Sequence, residues 1–118
     1  MIGVGIDVVD VARFALILHR RAGFEERVFT SLERSTCGGT PGRLAARFAA
    51  KEATMKALGV GLGAFGFHDV EVEREESGRP VLRVCGRAKA LAEAAGVRRW
   101  HVSLTHTALV AEAVVVAE

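Results

Sequence analysis

The sequence is poor in cysteine, in net charge and in long apolar runs, and each shortage closes off a class of protein. Its two cysteines, Cys37 and Cys85, are too few for a disulfide scaffold, and they lack metal-ligand spacing. Cys85 ends an apolar, strand-like run and is expected to be a buried thiol. Cys37 lies in a glycine-rich stretch and is expected to be exposed. The net charge is only +2, too weak a field to indicate a nucleic-acid partner. No uninterrupted apolar run approaches the ~20 residues of a membrane-spanning helix. The opening MIGVGIDVVD has no positive leader and is interrupted by an aspartate, so it does not read as a signal peptide. No repeat, low-complexity tract or linker breaks the chain. These exclusions leave a cytoplasmic protein with no membrane or nucleic-acid association.

What is present is apolar: hydrophobic residues make up 50% of the 118. The length suits a single domain over 1–118. Burial per residue is modest at this size, and self-association would add to it. Residues 2–9 are rich in Val and Ile and read as a strand. Asp10 is a plausible N-cap for a helix running to about Arg21, with Gly23 as its breaker. Residues 24–29 read as a second short helix, and 35–42 as a loop by composition. The longest helical segment runs from Arg43 to Leu58 and ends at Gly59. A glycine-rich stretch covers 59–66. Strands at 70–73 and 81–85 flank a Ser-Gly-Arg-Pro turn, a helix covers 86–95, and a last pair of strands closes the chain. The order β-α-α-α-β-β-α-β-β predicts an α+β domain.

The long helix carries an anomaly. At 100° per residue Leu44, Phe48, Met55 and Leu58 share a stripe, and Lys51 falls in its middle. Ala46, Ala50, Ala53 and Ala57 cover the opposite side, so the helix is expected to lie between two layers. Lys51 either snorkels to solvent along its apolar stem or meets a negative group in a cleft or at a subunit junction. Glu52 and Lys56, four apart, face the same way, as an ordinary surface pair does; a site is the alternative.

A second carboxylate sits in the first strand. Asp7 shares a strand face with Gly3 and Gly5, where other backbone could approach. An aspartate in an apolar strand is costly if buried alone. Magnesium is usually held by one or two carboxylates, with phosphate oxygens and water completing the shell. Asp7 and Glu52 would suit this if the strand packs on the long helix, which spacing alone does not decide. His106 shares strand parity with Trp100, Val102 and Leu104, which favours a partly buried, satisfied histidine. Trp100 reads as core, and His68 and His101 as surface.

Several segments together resemble one family. They are GIDVV at 5–9 with Arg13, Phe29-Thr30 with Glu33, and Arg47 to Ala53 followed by Lys56 and Gly59. A turn with Gly78 and Pro80 and the closing VSLTHT at 102–107 complete the set. In this order they resemble the holo-(acyl-carrier-protein) synthases, the short phosphopantetheinyl transferases. That resemblance implies an antiparallel sheet packed on a long central helix, in a homotrimer with sites between subunits. It implies transfer of phosphopantetheine from coenzyme A to a serine of an acyl carrier protein, with Mg2+ as cofactor and 3′,5′-ADP released. Asp7 and Glu52 would bind the metal; Glu52 and Lys56 would serve the chemistry, with Lys56 touching phosphates. Arg47, Gly59, Gly61 and His106 would line the coenzyme A site. Lys51 would then face a neighbouring subunit. Arg13, with Arg20 two turns along the same helix face, would dock the acidic carrier. Between Glu33 and Arg47 the chain is shorter than in several family members, which touches any contact made there. Another magnesium-dependent phosphate enzyme and a catalytically silent binding module are the alternatives.

Overall fold

The computed structural model describes all residues, 1–118. Strand β1 (Gly3–Asp10) leads into α1 (Val11–Arg20), α2 (Phe24–Val28), α3 (Ser31–Cys37) and α4 (Pro41–Leu58). A 3-10 turn at Phe67–Asp69 precedes β2 (Val70–Arg74) and β3 (Pro80–Val84); α5 (Gly86–Ala94), β4 (Trp100–His106) and β5 (Val110–Ala117) complete the chain. This is an α+β fold with two antiparallel sheets, β1-β5-β4 and β2-β3.

The one α-helix absent from the sequence reading is α3. Its start is fixed by a capping box: the Glu33 N–H donates to Thr30 Oγ1 at 3.2 Å, and the Thr30 N–H donates to Glu33 Oε1 at 3.1 Å. The Thr-x-x-Glu signal for this is in the sequence. The Ser, Thr and Gly that follow it outweighed it in a reading by composition. The helix runs to Cys37 and stops at Gly38, whose φ of 55° is left-handed. The expectation for the thiols is therefore reversed. Cys37, on the last turn of α3, is 1% exposed and packs with Phe29 and Leu44. Cys85 falls just beyond β3, outside the strand's alternation, and is exposed.

Helix α4 crosses the three-stranded sheet and is buried along most of its surface. Its approach to β1 is unusually close because both partners are small. A Cβ added at Gly3 would lie 1.9 Å from the Ala57 carbonyl oxygen, and one added at Gly5 would lie 1.9 Å from that of Ala53. No side chain fits there, which is why the strand carries glycine at these two positions. A second cluster on the other side of α4 is aromatic. Phe14 meets Phe24, Phe29 and Phe48 at centroid distances of 5.9, 6.1 and 5.3 Å, and Phe48 meets Phe67 at 5.8 Å. Trp100 packs against the core, as its parity predicts.

Lys51 neither snorkels nor faces a neighbouring subunit. It is completely buried and its ammonium donates to Glu33 Oε1 at 2.8 Å, to the Phe67 carbonyl at 2.9 Å and to the Val70 carbonyl. The negative group it meets belongs to its own chain, on the helix that composition hid.

Candidate functional site

The geometry that brings Asp7 to α4 follows from the glycines. Gly3 abuts Ala57 and Gly5 abuts Ala53, so β1 and α4 run in opposite senses. Two strand residues advance ~6.6 Å and four helix residues ~6 Å, so the two elements stay in step. The next residue on that strand face is Asp7, and the next stretch of helix carries Glu52. Asp7 and Glu52 line one open cleft of about 300 Å³, together with Val9, Arg13, Phe14, Ile17 and Phe48. The spacing argument for a shared site, left open by the sequence, is met by this register.

Lys56, one turn beyond Glu52, reaches the same carboxylate from the other side. Its ammonium donates to Asp7 Oδ1 at 3.1 Å and to the Ile6 carbonyl at 2.9 Å. Burial pushes the Glu52 carboxyl above its ordinary range, the Asp7 charge adds to that push, and Lys56 opposes it. The cleft thus concentrates negative charge that one lysine partly offsets. No cluster of three or more His, Cys, Asp or Glu side chains occurs in the chain. A zinc centre needs three or four such ligands. A hard cation that takes two carboxylates and fills its remaining positions from phosphate and water fits.

The remaining candidate residues are dispersed within one chain. Arg13 lies on the cleft wall; Asp10 caps α1 by accepting from the Arg13 N–H at 2.8 Å. Arg20, at the end of α1, is exposed and outside the cleft. Gly59 caps α4 with φ 69°, one turn past Lys56, and Gly61 borders open space. Arg47 is buried: Nη1 donates to the Arg43 carbonyl at 3.2 Å, while Nε and Nη2 have no partner. His106 is exposed on β4, separated from β1 by β5. Its ring rests on the first turn of α4, 3.2 Å from where a Gly42 Cβ would be. That is ~15 Å along the helix from Glu52. The apolar half of the cleft, Phe14, Ile17 and Phe48, was not among the expected residues. Its signal was the four-residue step from Phe48 to Glu52, which places both on one helix face.

This fold is that of a known class. A family model described as the 4′-phosphopantetheinyl transferase superfamily matches residues 3–113, and the chain belongs to that family. A holo-[acyl-carrier-protein] synthase of Frankia casuarinae is 52% identical over 118 residues, covering 100% of this chain and 98% of the relative. The solved structure of the Helicobacter pylori holo-[acyl-carrier-protein] synthase in complex with coenzyme A superposes with a TM-score of 0.86 at 30% identity, covering 98% and 99% of the two chains. A Bacillus anthracis enzyme of the same name, in complex with CoA (3′,5′-ADP), superposes with a TM-score of 0.81 at 33% identity over 98% and 95%. The chain is an enzyme of the holo-[acyl-carrier-protein] synthase type, transferring phosphopantetheine to an apo-acyl carrier protein. No helix is long and apolar enough to cross a membrane.

Proposed function

We propose that Asp7, Glu52 and Lys56 form the transfer centre, and that residues 1–118 act as one cytoplasmic domain. The observation that carries this is the cleft in which two carboxylates from different elements share one charged environment with a lysine. The hydroxyl of a carrier serine attacks the pantetheine-side phosphorus of coenzyme A. A new P–O bond forms, the bond to the nucleotide-side phosphate oxygen breaks, and 3′,5′-ADP leaves with its charge. Asp7 and Glu52 would hold Mg2+, which when bound neutralises developing phosphate charge. Lys56 stabilises the same charge through its ammonium. The serine proton goes to Glu52 or to a water beside the cation.

The coenzyme A site draws on Gly59, Gly61 and His106, and a homotrimer completes it; Arg47, expected to join them, is 1% exposed and is not open to a ligand within one chain. Two features support the trimer. His106 lies on the opposite edge strand from Asp7, so one chain does not bring it to the cleft. The outer sheet face also leaves Val4, Ile6 and Val8 56, 63 and 59% exposed, a β-branched row of the kind an interface covers. The carrier docks on α1 through Arg13 and Arg20, beside the cleft.

The test is incubation with coenzyme A, Mg2+ and an apo-carrier, read by intact mass. The carrier gains one phosphopantetheine, 3′,5′-ADP appears in equal amount, and excess chelator stops both. Coenzyme A hydrolysed with no change in carrier mass would make the protein a phosphohydrolase instead.

A further inference from the structure

The proposed centre contains a contact that its role in transfer does not explain. A lysine aimed at substrate phosphates has no need to be hydrogen-bonded to the protein's own carboxylate. Yet Lys56 donates to Asp7 Oδ1 at 3.1 Å and to the Ile6 carbonyl at 2.9 Å. The pair is asymmetric in exposure: the Lys56 side chain is 55% exposed and that of Asp7 only 19%. Asp7 is set by a rigid strand whose neighbouring glycines lock it against α4. Lys56 is the mobile partner, on the last turn of α4 with a flexible stem.

We infer that Lys56 is a stand-in cation, which occupies Asp7 in the metal-free protein and is released toward the substrate when a divalent cation binds between Asp7 and Glu52. This rests on the reading of Asp7 and Glu52 as the metal site. Two carboxylates in one cleft repel, and without a cation one must be offset or protonated. The ammonium on Asp7 does that offsetting. A divalent cation on the two carboxylates supplies more charge than the ammonium and repels it at short range. Lys56 then loses its electrostatic reason to hold Asp7, while its ammonium stays within a side chain's length of any phosphate bound to the same cation. One residue thus keeps the empty cleft ordered and later aims charge at the substrate, in a fixed sequence set by metal loading.

The chain simplifies the test, because its only lysines are Lys51, Lys56 and Lys89. Lys51 is fully buried, and Lys89 is exposed on α5 and serves as an internal standard. Two measurements are made on the full chain without coenzyme A. The first is calorimetric Mg2+ binding to wild type, Lys56→Met and Asp7→Asn. Losing a competitor held by a surface pair tightens Mg2+ binding to Lys56→Met by roughly two- to five-fold. The second is brief amine acylation read by mass. Labelling of Lys56 relative to Lys89 rises with saturating Mg2+. Equal or weaker Mg2+ affinity in Lys56→Met, or Lys56 labelling unmoved by Mg2+, overturns the inference. Unchanged Mg2+ affinity in Asp7→Asn instead overturns the metal reading beneath it, so the two failures are distinguishable.

Discussion

Breaking the buried Lys51–Glu33 pair should cost a large share of the protein's stability, and removing both charges should cost much less than the two single losses together. The ammonium of Lys51 has its three donors used, on Glu33 Oε1 and on the Phe67 and Val70 carbonyls. Glu33 is equally engaged: Oε1 also accepts from the Thr30 N–H, and Oε2 accepts from the Val72 N–H at 2.9 Å. Both side chains are 0% exposed. Lys51→Met leaves a carboxylate buried without its cation and takes one donor from each of two carbonyls, a loss of about 3–5 kcal/mol. Glu33→Gln strands the ammonium and falls in the same range. Domains have only ~5–15 kcal/mol in total, so either single variant loses a large part of that margin. The double variant Lys51→Met/Glu33→Gln buries no charge, and its loss should fall short of the sum by at least ~2 kcal/mol. Urea denaturation followed by far-UV circular dichroism measures all four proteins. Single losses below ~1 kcal/mol, or strict additivity in the cycle, would refute the reasoning.

Gly5→Ala places a methyl 1.9 Å from the Ala53 carbonyl oxygen, and since backbone has to move, the loss should be roughly 3 kcal/mol or more; a denaturation midpoint equal to wild type would show that α4 does not touch β1 there. Glu52 has a raised folded-state pKa, so the folded protein holds its proton more tightly than the unfolded chain, and stability falls as pH rises from the ordinary carboxylate range through the folded value. In chelator, Glu52→Gln should therefore melt above wild type at neutral pH, and the gap should close as pH falls below that window; a gap independent of pH would contradict it. Arg20→Glu should weaken carrier binding at low salt and leave the Michaelis constant for coenzyme A unchanged, because Arg20 stands outside the cleft. Equal carrier affinity in both proteins would move the docking surface off α1.

The parts legible in the sequence were those set by local signals. Asp10 as an N-cap, Gly59 as a C-cap and the strands at both ends follow from side-chain chemistry within a few residues. Gly3 and Gly5 also announced a close approach, and that approach is what brings Asp7 to α4. The illegible parts depend on partners distant in sequence. The pattern left Lys51 either snorkelling or meeting a negative group, in a cleft or at a subunit junction, and did not name Glu33, which is 18 residues away on a helix that composition concealed. The thiols were misread on element bounds: placing α3 buries Cys37, and ending β3 one residue early exposes Cys85. His106 shows the opposite limit. Its parity with Trp100, Val102 and Leu104 predicted a partly buried ring, yet it is exposed, and parity carries no information on the ~15 Å between it and Glu52, or on whether a second subunit closes that gap.

The central claim is that Asp7 and Glu52 act as a pair at the transfer step. Its most direct test is the rate of phosphopantetheine transfer, by intact carrier mass, for wild type, Asp7→Asn, Glu52→Gln and the double variant, each shown by circular dichroism to be folded. Residues that hold one cation act as a unit, so each single variant should lose nearly all activity and the double should lose little more. Near-normal transfer by either single variant, or losses that multiply independently, would contradict the account.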